Sequence, residues 1–239
     1  MNVAVILAGG TGTRVGGDRP KQFLDVDGRS VIERSIDAFD QADGIDEIAV
    51  VIHPDWMEYM RELVDGNHWR KMKRFIEGGS ERYMSSLNAI AAYIDYPDDT
   101  NLILHDAARP FVSQAVIARV VEALKRHEAV GVGIPSTDTI WEVRQDFMSP
   151  LERGAKGRDM LLSKFIVRIP ERNTMWRAQT PQAFRLPLIR DAYQCALQDP
   201  QFRATDDCGV VRRYLPGIKV HIVEGEEQNR KITFKEDLG

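Results

Sequence analysis

The segment that most constrains the fold runs from Val3 to Arg14: Val3-Ala4-Val5-Ile6-Leu7-Ala8, then Gly9-Gly10-Thr11-Gly12-Thr13-Arg14. An unbroken aliphatic run without polar alternation reads as a strand buried on both faces. The glycine cluster ends it abruptly. Gly9, Gly10 and Gly12 allow close backbone approach to a ligand, and their N–H groups can line a concave anion site. Arg14 and, after Pro20, Lys21 add positive charge beside it. Exposed amides with two cations suit a triphosphate. The loop is neither of two familiar phosphate loops. No Gly-Lys-Ser/Thr opens a helix, and Val15 stands where a dinucleotide fingerprint needs its third glycine.

Downstream, strand and helix patterns alternate. Residues 30–42 put Val31, Ile32, Ile36 and Phe39 on one helical face behind a Ser30 N-cap. Residues 45–53 read as a buried strand, 54–64 as a helix, 73–77 as a strand, and 81–94 as a helix with Met84, Leu87, Ile90 and Ala91 inward. A strand at 101–105, a helix at 114–127 and a strand at 130–134 follow. Later come helices at 184–197 and 205–214, the second with Asp206 and Asp207 in its first turn, and a strand at 218–223. This alternation implies an α/β fold: a mostly parallel sheet covered on both faces. In such sheets ligands sit beyond the carboxyl ends of strands. The turns at 9–12, 78–82 and 106–109 all fall there, which gathers them into one site. Between 139 and 172 the pattern becomes polar–apolar alternation dense in Arg and Lys, as in an antiparallel β-arm with its tip near 153–158. No repeat or linker divides the chain, so one domain over 1–239 is expected.

A net charge of −4 over 239 residues is not the profile of a general nucleic-acid binder. No apolar run reaches the length that spans a bilayer, and the first residues lack a basic stretch followed by an apolar one. Cys195 and Cys208 have no metal-ligand spacing and read as reduced thiols of a cytoplasmic protein. His105-Asp106-Ala107-Ala108-Arg109-Pro110 follows directly on a strand. A carboxylate there can help hold Mg²⁺ against phosphate oxygens, and Arg109 can pair with a phosphate. By spacing alone, a local Asp–Arg ion pair closing a turn is equally compatible.

With Pro20-Lys21-Gln22-Phe23-Leu24 added, the opening resembles the signature of nucleotidyltransferases that use a nucleoside triphosphate. In this form it resembles the polyol-phosphate cytidylyltransferases, which act on 2-C-methyl-D-erythritol 4-phosphate or D-ribitol 5-phosphate. His105 to Pro110, Gly78-Gly79-Ser80-Glu81-Arg82 with Ser85, Pro135 to Ile140, Pro170 to Asn173, Thr180 to Phe184 and Gln228 to Thr233 resemble further motifs in family order. Ser80 stands where the family often has Asp, Arg230 where it has isoleucine, and the arm looks longer than usual.

The resemblance implies a Rossmann-like three-layer α/β/α nucleotidyltransferase fold with a protruding β-arm. It implies that CTP and a polyol phosphate give a CDP-polyol and pyrophosphate, with Mg²⁺ as cofactor. Arg14, Lys21, Lys231 and Arg172 would be catalytic. Leu7, Ala8, Gly9, Gly10, Gly12 and Thr13 would hold the nucleotide together with Gly79, Ser80, Ser85 and Ala107. Asp106, Arg109, Thr139 and Thr180 would hold the acceptor, with Asp106 also at the metal. Arg172 would reach the acceptor phosphate across a dimer interface, so a homodimer through the arm is expected, with neither nucleic acid nor membrane as partner. Residues 204–209 and 223–229 look more like the ribitol phosphate branch. D-ribitol 5-phosphate is therefore the expected acceptor and 2-C-methyl-D-erythritol 4-phosphate the alternative. A sugar 1-phosphate nucleotidyltransferase and a catalytically silent domain of a larger surface-polymer enzyme are the rival readings.

Overall fold

A computed structural model describes residues 1–10, 19–147 and 162–238. Gly12, Thr13 and Arg14, and the expected arm tip at 153–158, lie outside the described residues. The chain forms two compact units, Met1–Gly133 with Ala178–Gly239, and Ile134–Arg177. The second encloses the expected arm.

Strand β1 (Asn2–Ala8) precedes a 3-10 turn at Lys21–Phe23 and a short ladder of β2 (Asp25–Val26) with β3 (Arg29–Ser30). Then α1 (Val31–Asp40), β4 (Glu47–Ile52), α2 (Met57–Asn67), β5 (Met72–Glu77), α3 (Arg82–Ala92), β6 (Asn101–Asp106) and α4 (Gln114–Leu124) alternate. After β7 (Ala129–Pro135) come β8 (Glu142–Phe147) and β9 (Leu162–Arg168), then β10 (Trp176–Arg185), α5 (Leu186–Ala196), α6 (Asp207–Tyr214) and β11 (His221–Glu224). The main sheet has the order β11-β7-β10-β6-β1-β4-β5. β1 lies parallel to both β4 and β6, β4 to β5, and β7 to β11, while β10 runs antiparallel to β6.

The period of a strand sorts its side chains onto two cores. Val3, Val5 and Leu7 of β1 join Ala49 and Val51 of β4 and Leu102 and Leu104 of β6 on one face. That face packs on α3, α5 and α6. Ala4, Ile6 and Ala8 join Ile48, Val50, Ile52 and Ile103 on the other, against α1, α2 and α4. Each fully buried Val, Leu or Ile contributes about 1.5–3 kcal/mol. The continuous aliphatic runs of the sequence are thus explained by helices on both faces.

Helix α1 starts where its cap places it. The Ser30 hydroxyl accepts from Glu33 N, and the Glu33 carboxylate accepts from Ser30 N at 2.9 Å, a complete capping box. Burial pushes the Glu33 carboxyl up, but its bonds to Ser30 outweigh this and hold it below the ordinary value. One turn on, Ser35 Oγ donates to Ala107 O at 2.9 Å, tying α1 to the turn that follows β6.

Three expectations need correction. The helix expected from residue 184 begins at Leu186, because residues up to Arg185 pair with β6 in β10; Pro187 marks the helix start. The residues at 54–56 form a 3-10 turn, and α2 continues past 64 to Asn67. In α3 the inner face is rotated from that expected: Ser85, Ser86, Ala89 and Ile90 are buried and Ala91 is exposed. In the smaller unit, β8 and β9 form an antiparallel hairpin, as the arm's alternation implies. Its Val143, Ile166 and Val167, and Trp141 just before β8, are exposed.

Ser30→Ala removes one half of the capping box and leaves orphan N–H groups at the start of α1. It should lower stability by about 1 kcal/mol, read as a fall in the urea midpoint with unchanged slope.

Candidate active site

β1, β5 and β6 end at the same edge of the sheet, and their following turns meet there. Gly9 and Gly78 touch backbone to backbone. A Cβ on Gly9 would stand 2.6 Å from Ser85 Oγ, and one on Gly78 would stand 2.7 Å from Gly9 Cα. Only glycine fits at both positions. The contact is braced from two sides. Gln22 Nε2 donates to Ala8 O at 3.0 Å and to Gly10 O at 2.9 Å, so the turn after Lys21 grips the glycine loop. Ser85 Oγ accepts from Gly79 N at 3.2 Å, which explains why α3 turns a serine inward.

Between these turns lies a cleft of ≈ 440 Å³. Leu7, Ala8, Gly9 and Gly10 line it, facing Gly79, Ser80 and Ser85, with Ala107 at the turn after β6. All eight described residues that the resemblance assigns to the nucleotide thus share one cavity. Lys21, Asp106 and Lys231 line it too. A smaller hollow of ≈ 210 Å³ shares Arg82, Asp106, Thr205 and Lys231 with the cleft and adds Arg109 and Thr180. The described nucleotide residues and three of the four acceptor residues, Asp106, Arg109 and Thr180, therefore line two hollows with a common boundary. Thr139 and Arg172 belong to the smaller unit, where Arg172 Nη1 lies 3.5 Å from Thr137 O and both residues are exposed. Arg14, Gly12 and Thr13 are outside the described residues.

Asp106 ends β6 and sits on that boundary. Its Oδ1 accepts from Arg82 Nε at 3.0 Å and its Oδ2 from Lys231 Nζ at 2.6 Å. Burial pushes this carboxyl up, but Arg82 and Lys231 outweigh burial and hold it well below the usual carboxylate range. Lys21 Nζ donates to Ile232 O at 2.8 Å. Ile232 N in turn donates to Ala108 O at 2.8 Å. The guanidinium of Arg109 donates to Asn229 O and Ala178 O, at 2.8 and 3.2 Å. Asn229, fully buried, donates to Thr180 O. The segment carrying Lys231 is therefore pinned by buried polar bonds on both sides of the lysine.

Thr180 lines the smaller hollow, and its hydroxyl also has partners inside the fold. It is buried, and its Oγ1 accepts from Asp106 N at 3.1 Å. The hydroxyl also lies 3.1 Å from His105 Nδ1, while His105 Nε2 lies 3.1 Å from Arg109 O. A carbonyl only accepts, so the network assigns the imidazole proton to Nε2 and the Thr180 proton to Nδ1. The Thr180 hydroxyl thus spends its donor inside the fold and supports the backbone of Asp106. Arg82, Gln22, Gln182 and Asp207 also carry the site, although none was singled out from sequence. Gln22, Arg82 and Gln182 lie inside recognised motifs, which is the available signal. Asp207 reads in sequence as a helix-start acid within the segment 204–209, with nothing to pair it with Arg82.

His105 is fully buried, and burial pulls its pKa from 6.5 to about 4. The unfolded chain binds this proton more readily, so the stability it confers is complete above about pH 6.5 and is lost as pH falls toward 4. At 1.36 kcal/mol per unit the loss amounts to about 3 kcal/mol. Urea midpoints measured between pH 7 and 4 should fall accordingly, and His105→Gln should flatten that fall.

The family model described as IspD, 2-C-methyl-D-erythritol 4-phosphate cytidylyltransferase, matches residues 2–239. A 2-C-methyl-D-erythritol 4-phosphate cytidylyltransferase of Thermobifida fusca (strain YX) is 43% identical over 235 residues, 98% of this chain and 89% of the relative. A bifunctional ribulose 5-phosphate reductase/CDP-ribitol pyrophosphorylase of Haemophilus influenzae is 36% identical over 237 residues, covering 99% of this chain and 46% of that protein. Among solved structures, the 4-diphosphocytidyl-2C-methyl-D-erythritol synthase of Anaerococcus prevotii DSM 20548 superposes with a TM-score of 0.78 at 26% identity, over 99% of this chain and 92% of that one. The 2-C-methyl-D-erythritol 4-phosphate cytidylyltransferase of Thermus thermophilus does so with a TM-score of 0.68 at 31% identity, over 100% and 96%. With a sheet, a glycine cleft and a family match that extend over nearly the whole chain, the protein belongs to the IspD family of polyol-phosphate cytidylyltransferases and is a nucleotidyltransferase.

Proposed function

We propose that this chain transfers the cytidylyl group of CTP to 2-C-methyl-D-erythritol 4-phosphate, releasing pyrophosphate. The observation that carries the reading is the pair of adjoining hollows that share Asp106 and Lys231. A nucleotide in the larger hollow and a polyol phosphate in the smaller would meet at that boundary. The acceptor phosphate is already an anionic nucleophile at neutral pH, so neither a protein nucleophile nor a strong base is needed. Catalysis is then positioning and electrostatic stabilisation. Lys21 would exchange the Ile232 carbonyl for phosphate oxygens and neutralise charge growing toward the leaving pyrophosphate. Lys231 and Arg109 would hold the acceptor.

The choice of acceptor follows the relatives. The Thermobifida protein bears the methylerythritol phosphate name at 43% identity, while the CDP-ribitol protein stands at 36%. The leaning toward D-ribitol 5-phosphate rested on 204–209 and 223–229. In the fold, those acids have structural duties. Asp206 caps α6 through Gly209 N at 2.9 Å, Asp207 pairs with Arg82, and Glu226 pairs with Arg119.

Among the described residues no three His, Cys, Asp or Glu side chains cluster as metal ligands. Asp106 lines both hollows, with Glu81 at the cleft and Asp206 at the smaller hollow, and each Asp106 oxygen keeps accepting capacity beyond one cation. That donor set fits a Mg²⁺ ion held mainly by triphosphate oxygens, with Asp106 beside it. When bound, such an ion would neutralise charge on the phosphates. The exposed Val143, Ile166 and Val167 of the β8–β9 hairpin, with Trp141 just before it, support self-association through the arm. No helix among the described residues is long and apolar enough to cross a membrane; a cytoplasmic place agrees with two free cysteines.

Pyrophosphate release with CTP and Mg²⁺, offering each polyol phosphate separately, tests the reading. A higher kcat/KM with 2-C-methyl-D-erythritol 4-phosphate is expected, and preference for D-ribitol 5-phosphate would overturn it. Lys21→Ala should lower kcat by about 10²–10³, the loss of one preorganised donor. Near-normal turnover would remove Lys21 from the mechanism.

A further inference from the structure

Arg82 opens α3 and lies between two carboxylates. Its Nε donates to Asp106 Oδ1 at 3.0 Å and its Nη1 to Asp207 Oδ2 at 2.8 Å. Asp207, the first residue of α6, is fully buried. Its other oxygen accepts from the Tyr193 hydroxyl at 2.6 Å. Its backbone N–H, with that of Cys208, donates to Gln182 Oε1 at 3.0 Å. The helix start that presents Asp207 is thereby fixed to β10. A rigid carboxylate thus stands behind Arg82, and Arg82 stands behind Asp106.

Stability alone does not explain this chain. Nη2 of Arg82 is buried without a hydrogen-bond partner among the described residues. A buried ion network with an unpaired donor contributes little stability compared with apolar residues of the same shape. What it does supply is position. Four charges balance here: Arg82 and Lys231 against Asp106 and Asp207. Among the described residues the Lys231 ammonium donates to Asp106 Oδ2, at 2.6 Å, and Lys231 lines both hollows. Once Lys231 turns to a phosphate, Asp106 loses one of its two cations, and a half-paired buried carboxylate would move toward a new partner unless the other cation holds it.

We propose that Arg82, anchored by Asp207, is a positioning residue that holds Asp106 in place while Lys231 passes to the acceptor phosphate. The inference rests on the cytidylyltransferase reading above and adds to it a support outside the assigned residues. It also accounts for the residue type. A guanidinium donates to the two carboxylates from a fixed planar fork and so sets the angle between them, whereas the donors of an ammonium rotate on a flexible stem.

Steady-state kinetics of Arg82→Lys, Asp207→Asn and the double variant Arg82→Gln/Asp207→Asn test this, with whichever of the two polyol phosphates the wild type turns over. For Arg82→Lys the kcat/KM for the acceptor should fall about 100-fold, as for a reacting group displaced by an ångström. For Asp207→Asn a fall of about 10-fold is expected, as for loss of an outer support. The KM for CTP should change far less in both. The double variant leaves no buried Asp207 charge unpaired, so it keeps the fold if a single variant does not, and its melting temperature should stay near the wild type. Its kcat/KM for the acceptor should nevertheless remain as low as that of Arg82→Lys. Recovery of wild-type kcat/KM in the double variant, or equal losses toward CTP and acceptor, would reduce Arg82 to a structural role and overturn the proposal. A wild type that turns over neither polyol phosphate would instead remove the underlying reading and the inference with it.

Discussion

The site depends on one buried carboxylate. Asp106 ends a central strand and is placed by the sheet, but taking its charge out of water would be unfavourable by several kcal/mol without partners. Those partners come from distant parts of the chain. Arg82 arrives at the start of α3, and Lys231 on the C-terminal segment. Thr180 of β10 accepts from its backbone N–H. The need to pair one ion therefore draws four segments together. Both flanking hollows owe their boundary to it, because Arg82, Asp106 and Lys231 line each of them.

The second constraint is steric. Gly9 and Gly78 approach so closely that the turns after β1 and β5 act as one surface. The parallel order β6-β1-β4-β5 makes this possible, since it brings the carboxyl ends of the strands to one edge. Gln22 then fastens the 3-10 turn bearing Lys21 to the carbonyls of Ala8 and Gly10. A cation and the glycine cradle are set by the same amide side chain, so the distance between them is a property of the fold.

Much of this was legible in the sequence. Aliphatic runs without alternation announced strands covered on both faces, and β1 and β4 indeed feed both cores with alternate residues. Ser30 announced α1, and three turns at strand ends announced the cleft. β10 was not legible as a strand. Pro181 within it argues against a central strand, and its pairing with β6 is a long-range fact that local pattern does not carry. The rotated face of α3 was hidden because apolarity was used to find it, while Ser85 is inward for its bond to Gly79 N. Asp207 was hidden for a related reason. An acid at a helix start has a sufficient local explanation in the helix dipole, and its pairing with Arg82, 125 residues away, appears only in three dimensions. Asp206 and Asp207, within a segment that resembles the ribitol phosphate branch, cap α6 and anchor an arginine.

The two cations on Asp106 differ in kind, and the difference matches what each can do. Arg82 is held at two points, with its planar fork spanning Asp106 and a fully buried Asp207. An arginine so fixed cannot follow a ligand without breaking a second ion pair. Lys231 meets Asp106 through one ammonium on a flexible four-carbon stem, half exposed at the edge of both hollows. It can exchange a carboxylate oxygen for a phosphate oxygen by rotating its own stem, while the backbone on either side stays pinned by Asn229 and by Ile232 N. One cation is built to stay and the other to be transferred. Exchanging the two residue types would keep the net charge and lose that division.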